Sequence, residues 1–190
     1  MQRFFKPLFS LPVWAHAALT AVAFSGFQWI KTLLDASYAA SNHPVDYATG
    51  QTTFDATRIK EFYAHMQAQG SLDVYVRTQQ IDFGFLILLG LSGLLLGTFV
   101  ARAGRRDSWA RRIGCLAALF FIGGALMDAS ENLVSFVMLN DPQGFAGWLA
   151  LPYSGFAVVK FALITAGMGA VLISLLTTAT GRLFRRPVIG

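Results

Sequence analysis

The chain has 190 residues, of which 55% are hydrophobic and only 13% are charged. An ordinary soluble domain carries about 25% charged residues, so this composition excludes a soluble protein and indicates an integral membrane protein. Lys and Arg number 15 against 10 Asp and Glu. Because the basic residues flank the apolar segments, they indicate a surface that binds anionic lipid, and we expect membrane lipids but no nucleic acid as partners.

Four long apolar segments predict an all-α fold, an integral membrane four-helix bundle that forms one domain over residues 1–190. Each segment is long enough to cross a hydrocarbon core of about 30 Å at about 1.5 Å per residue. The predicted spans are residues 11–34, 81–100, 113–139 and 152–178. Aromatic residues near the span ends are expected to be interface anchors, namely Trp14, Trp29, Trp148 and Tyr153.

The first span is expected to begin near Leu11, because Pro7 and Pro12 delay the helix. A secretory signal is the alternative interpretation, since Ala21-Val22-Ala23 could be a cleavage site. The apolar stretch continues beyond that point to Leu34. This length favours a retained membrane anchor.

The long loop, residues 35–80, contains a predicted amphipathic helix over about residues 53–69. Apolar side chains recur there at i, i+3, i+4 and i+7, namely Ile59, Phe62, Tyr63 and Met66. Thr52 or Thr53 is the expected N-cap, and Gly70 the expected stop. We expect this helix to lie against the membrane rim or to roof the bundle.

A further helix is predicted to begin near Ser71 and to run into the second span, which places Asp82 about one turn inside the outer boundary. The second span contains a GxxxG pattern, Gly93 to Gly97. Such patterns are common in membrane helices, and we favour close packing within the bundle over a dimer interface.

Histidine and cysteine indicate no cofactor site. Cys115 is the single cysteine, which excludes an intrachain disulfide and a CxxC motif. His16 is the single histidine within the predicted spans, so haem is disfavoured, and we expect His16 to be a packed or interfacial residue near the cytoplasmic side. His43 and His65 are expected to be exposed loop residues. Without a metal-binding pattern, a nucleotide-binding loop or a nucleophile elbow, we expect neither a metal nor a cofactor.

The distribution of basic residues predicts the topology. The loop over residues 35–80 is acidic on balance, whereas Lys and Arg cluster beside the other span ends. Because Lys and Arg accumulate in cytoplasmic loops, both termini are predicted to be cytoplasmic and the long loop extracytoplasmic. The basic residues concerned are Arg3, Lys6, Arg102, Arg105, Arg106, Arg111, Arg112, Arg182, Arg185 and Arg186.

The third span carries the polar residues that most need an explanation. Asp128, Glu131, Asn132 and Ser135 lie at i, i+3, i+4 and i+7 and therefore share one helical face. An ionisable group at bilayer depth costs roughly 2.5–3.5 kcal/mol on insertion scales and usually faces a protein interior or a wet cavity. This face is therefore predicted to point into the bundle.

Other spans place polar side chains at a similar depth. Glu131 and Lys160 both lie about 12 Å below the outer ends of their spans at about 1.5 Å per residue. Lys160 is expected to neutralise Asp128 or Glu131, which leaves the other carboxyl group able to exchange a proton. The predicted ligand-binding residues are Asp128, Glu131, Asn132, Lys160, Asp82 and Gln28. The alternative is a buried polar network with a structural role, which fixes the register of the helices without binding a ligand.

The same residues resemble a group of bacterial four-span inner-membrane proteins of unassigned function, which carry a D-x-x-E-N motif in the third span. The motif is matched by Asp128-Ala-Ser-Glu131-Asn132, and two flanking features by Tyr75 with Asp82 and by Lys160-Phe161. The resemblance covers about residues 63–176, and the Gly84 region departs from the Pro-containing form of the group. It implies the fold, the topology and a multi-pass inner-membrane location, and it implies no activity.

Three functions are compatible with this pattern. We favour a protein that binds or transports a small amphiphile or cation, with one carboxyl group exchanging protons, as an oligomer or with a membrane partner. A second candidate is a cofactor-independent isomerase, cyclase or hydrolase of a lipid or isoprenoid, with Glu131 or Asp128 as general acid or base and Lys160 as electrostatic partner. The third is an accessory subunit of a larger membrane complex.

Overall fold

The computed structural model describes residues 4–183 and the side chains of residues 4–181. Arg3, Arg185 and Arg186 lie outside the described residues, as does the side chain of Arg182. Within the described part the chain is helical and contains no β-strand. Its elements are α1 (Lys6–Ser10), α2 (Val13–Ala40), α3 (Tyr47–Gln51), α4 (Ala56–Ala68), α5 (Leu72–Ala103), α6 (Trp109–Asn140), a 3-10 turn (Gly147–Leu149) and α7 (Ala150–Leu183).

Helices α2, α5, α6 and α7 are each long and apolar enough to cross a membrane. This finding confirms the prediction of four spanning helices in an all-α chain. The helices extend past the predicted spans, and the largest extension is at the start of α5, which begins at Leu72 after the N-cap residue Ser71. The polar turns that precede Asp82 therefore continue the spanning helix.

The beginning of the chain differs from the prediction. A short helix, α1, already forms from Lys6, with Pro7 in its first turn, where a missing backbone N–H costs no hydrogen bond. Pro12 then precedes α2 directly and interrupts the helix between Ser10 and Val13. Phe5 is buried against Ala101 of α5.

The four long helices pack in chain order. Helix α5 packs against α2 and α6, and α6 packs against α7. Helix α2 lies at the edge of the bundle, since its buried residues are limited to His16, Ala23 and Leu34. A central helix, α6, thus presents its polar face to neighbours on both sides.

Glycine allows α5 and α6 to approach closely. A Cβ atom at Gly97 would lie 2.6 Å from the backbone nitrogen of Ala118 and 2.8 Å from the carbonyl oxygen of Gly114. A Cβ atom at Gly114 would in turn lie 2.9 Å from Cα of Ala101. The prediction that the glycine pattern of α5 serves packing within the bundle is therefore confirmed.

Helices α3 and α4 cover one end of the bundle. The buried residues of α4, Ile59, Tyr63 and Met66, join a core cluster that includes Met138 of α6. Asp55 caps α4 by accepting hydrogen bonds from the backbone N–H groups of Thr57 and Arg58, so the predicted Thr52 or Thr53 cap was wrong. The helix ends before Gly70, which adopts a φ of 65°.

Two aromatic expectations were also wrong. Tyr153 is only 2% exposed and belongs to the core cluster under α4, so it is not an interface anchor. His43 is half-buried, with its ring centroid 5.2 Å from that of Tyr38 and 5.4 Å from that of Tyr75. Burial lowers the pKa of the His43 imidazole, and the nearby charge of His65 acts in the same direction.

Candidate functional site

A buried lysine joins the two acidic residues of α6. Lys160 of α7 donates hydrogen bonds to Asp128 Oδ1 at 2.8 Å and to Glu131 Oε2 at 2.5 Å. The three residues are at most 4% exposed. The two carboxyl groups face the same neighbour because they lie one turn apart on α6. Lys160 therefore contacts both acidic groups, whereas the sequence predicts that it neutralises one of them.

A second pair lies beside the first, between α6 and α5. The amide nitrogen of Asn132 donates to Asp82 Oδ2 of α5 at 2.6 Å, and both residues are buried. Since Asn132 follows Glu131 directly, α6 presents polar groups towards α5 and α7 at the same level. Five of the six predicted residues are thus brought together.

The sixth residue, Gln28, does not belong to this cluster, because its side chain is exposed on α2. The amide group comes instead from Gln51, whose Oε1 accepts a hydrogen bond from Lys160 Nζ at 3.1 Å. Gln51 ends the short helix α3, which Asp46 caps by accepting from the backbone N–H of Thr49. The prediction for Gln28 was wrong because it counted depth along α2 and did not consider which way the side chain points.

Two buried oxygen atoms at the centre of the cluster, Glu131 Oε1 and Asn132 Oδ1, have no hydrogen-bond partner among the described residues. The Tyr63 hydroxyl group of α4 lies nearby and interacts with Ser135. Burial raises the pKa of the Tyr63 hydroxyl well above its usual range, so this group keeps its proton and remains a donor. The side of the cluster that faces α4 therefore retains hydrogen-bonding capacity.

A cavity of about 270 Å³ adjoins the cluster on the side of α2 and α7. Its polar lining includes Gln51, Asp82, Asp128 and Lys160. Lys31 and Asp35 of α2 line its exposed part and form an ion pair with each other. Three of the predicted residues, Asp82, Asp128 and Lys160, therefore line this cavity, whereas Glu131 does not.

The charges of the cluster do not balance within the protein. The cluster contains three carboxyl groups and the ammonium group of Lys160. Asp128 and Glu131 contact Lys160, whereas Asp82 accepts a hydrogen bond from Asn132. Burying an ion costs several kcal/mol unless an opposite charge or hydrogen bonds compensate it. The cluster can therefore hold two protons, or it can accept a cation.

The buried histidine of α2 lies apart from this site. His16 is fully buried at the opposite end of α2, where its ring hydrogen-bonds with the carbonyl oxygen of Leu95 and lies 3.3 Å from an Arg102 nitrogen. No group of three or more His, Cys, Asp or Glu side chains in the described residues is arranged to hold a metal ion.

Comparison with protein-family models, curated proteins and solved structures found no match for this chain.

Proposed function

We propose that this protein binds and transports a small amphiphile or organic cation whose charged group enters the cavity beside Asp82 and Asp128. The observation that carries the proposal is the charge balance of the buried cluster, which contains three carboxyl groups and one lysine, with only two of the carboxyl groups in contact with that lysine. A cation in the cavity would replace a proton as the compensating charge. Binding would then be coupled to proton release.

The polar lining favours a ligand that donates hydrogen bonds. Asp82 and Asp128 offer carboxylate oxygens to the cavity, and Gln51 adds an amide group. Charge-assisted hydrogen bonds to carboxylates are roughly twice as strong as neutral ones. A primary or secondary ammonium group has both the charge and the donors that this lining requires.

The location and topology are part of the proposal. The basic link between α5 and α6 supports cytoplasmic termini, with α3 and α4 outside. In that orientation the acid and lysine cluster lies in the outer half of the bilayer. The resemblance to four-span bacterial proteins supports an inner-membrane location, and four spans suit a homo-oligomer or a complex with a membrane partner.

The proposal can be tested by native mass spectrometry after purification in mild detergent. The wild type is compared with the Asp128→Asn/Glu131→Gln double variant, which removes two buried carboxylates. A matched control, Glu61→Gln/Asp73→Asn, removes two exposed carboxylates. We expect a small bound mass in the wild type and the control, and its loss in the buried double variant.

Three outcomes would contradict the proposal. A bound mass that persists in the double variant would show that the ligand does not depend on the carboxylates. A fixed protein partner without a small bound molecule would favour the accessory-subunit alternative. Conversion of the bound molecule by the wild type but not by Glu131→Gln would favour the enzymatic alternative.

A further inference from the structure

A second, larger cavity lies along the membrane-facing side of the bundle. It measures about 620 Å³ and lies among α2, α5, α6 and α7. Small side chains create the hollow, including Ala17, Ala21 and Gly93, and the rings of Phe24 and Phe121 contribute much of the remaining wall. Such a surface suits hydrocarbon and offers no charged group. We call this cavity the apolar groove.

The apolar groove adjoins the cavity beside the acid and lysine cluster. Ile164 of α7 lines both cavities. Along α2 the groove is lined from Ala17 to Phe27, and Lys31 lines the polar cavity one turn further on. The polar and apolar sites are therefore stacked along the membrane normal.

The length of the groove matches one membrane leaflet. The rise from Ala17 to Phe27 is about 15 Å at about 1.5 Å per residue. A hydrocarbon core of about 30 Å gives each leaflet chains of about the same length. Since α2 packs chiefly on α5, a chain can enter sideways from the lipid between α2 and α7.

We propose that the apolar groove holds the single hydrocarbon chain of an amphiphile whose ammonium head lies between Asp82 and Asp128. This inference rests on the proposed function, because it assigns the head group to the acidic cavity. It adds the substrate class, a single-chain cationic amphiphile. It also assigns a specificity role to Ala21 and Met168, whose side chains line the groove from α2 and α7.

Two probes separate the head site from the groove. Tetradecylamine carries an ammonium head and one hydrocarbon chain, whereas ethylamine carries the head with almost no chain. Binding of each is measured to the protein in lipid nanodiscs. Ala21→Trp and Met168→Trp fill the groove from opposite sides, and both positions are exposed enough to accept a larger side chain.

Matched controls place the same tryptophan outside the groove. Val22→Trp adds it to α2 and Leu172→Trp to α7, at positions that are 70% and 61% exposed. We expect Ala21→Trp and Met168→Trp to weaken tetradecylamine binding about tenfold or more, about 1.4 kcal/mol for each factor of ten. The controls should bind like the wild type, and ethylamine binding should be unchanged in all four variants.

The outcomes distinguish this inference from the proposed function. If Asp128→Asn abolishes binding of both probes while the groove variants bind tetradecylamine like the wild type, the head site stands and the groove inference is overturned. If neither probe binds in a manner that depends on Asp128, the proposed function fails and the inference fails with it. Equal loss in the groove variants and their controls would also overturn the inference.

Discussion

At the scale of single residues, Lys160 should contribute most to the stability of the cluster. Replacing it in Lys160→Met leaves Asp128 and Glu131 buried without their partner, and we expect the free energy of unfolding to fall by about 3–5 kcal/mol. The matched control is Lys31→Met, because Lys31 pairs with Asp35 at an exposed site. An exposed pair contributes at most about 1 kcal/mol. Denaturant titration in mixed micelles measures both changes.

The cause of that loss can be checked by removing the acidic partners as well. Combining Lys160→Met with Asp128→Asn and Glu131→Gln eliminates the unpaired buried charges, so this triple variant should regain part of the lost stability. A loss for Lys160→Met no larger than for Lys31→Met would show that the pairing does not matter for the fold.

Residue spacing was sufficient to predict which residues of α6 belong to the site. It did not predict the residue that the short helix α3 contributes. Asp128, Glu131 and Asn132 share a face because helix periodicity alone decides that relation. Gln51 has no such signal, since its position depends on how the short helix α3 folds back over the bundle. Counting residues along α2 gave a depth for Gln28 but no information on the direction of its side chain, which is exposed.

At the scale of helices, the contact between α5 and α6 depends on glycine. In Gly97→Ala the new Cβ would lie 2.6 Å from the Ala118 backbone nitrogen, so the helices must separate. We expect a loss of about 1–3 kcal/mol in the free energy of unfolding. The control is Gly169→Ala in α7, where a Cβ meets no atom within 4 Å. If both variants unfold alike, the close approach is not important for stability.

Helix existence was easier to predict than helix ends. Long apolar segments with a continuous hydrogen-bonded backbone have one stable form in lipid, so the four spans followed from length and composition. The ends of a helix depend on local caps. The Asp55 side chain accepts hydrogen bonds from two backbone N–H groups that a cap at Thr52 or Thr53 would not reach. The helix α1 forms because Pro7 lies in a first turn, where it is tolerated.

At the scale of the whole molecule, the orientation of the bundle decides from which leaflet the proposed ligand would reach the acid cluster. The acid cluster and the apolar groove lie at successive depths along the membrane normal. The orientation of the bundle across the membrane therefore determines whether the proposed head-group site is nearer the outer or the inner surface. Sequence predicted this orientation from the Lys and Arg distribution, which is a property of the loops and not of the packed helices. The packed core therefore provides no independent information on orientation.

Cysteine labelling in intact bacterial cells can determine that orientation. Cys115 is fully buried, so single cysteines at exposed positions report on their own location. With a membrane-impermeant maleimide, we expect Glu61→Cys on α4 to react in intact cells and Arg106→Cys in the α5–α6 link to react only after lysis. Cys115 alone, in the wild type, is the background control. The reverse pattern would place the acid cluster in the inner half of the bilayer, and a ligand would then enter from the cytoplasmic leaflet.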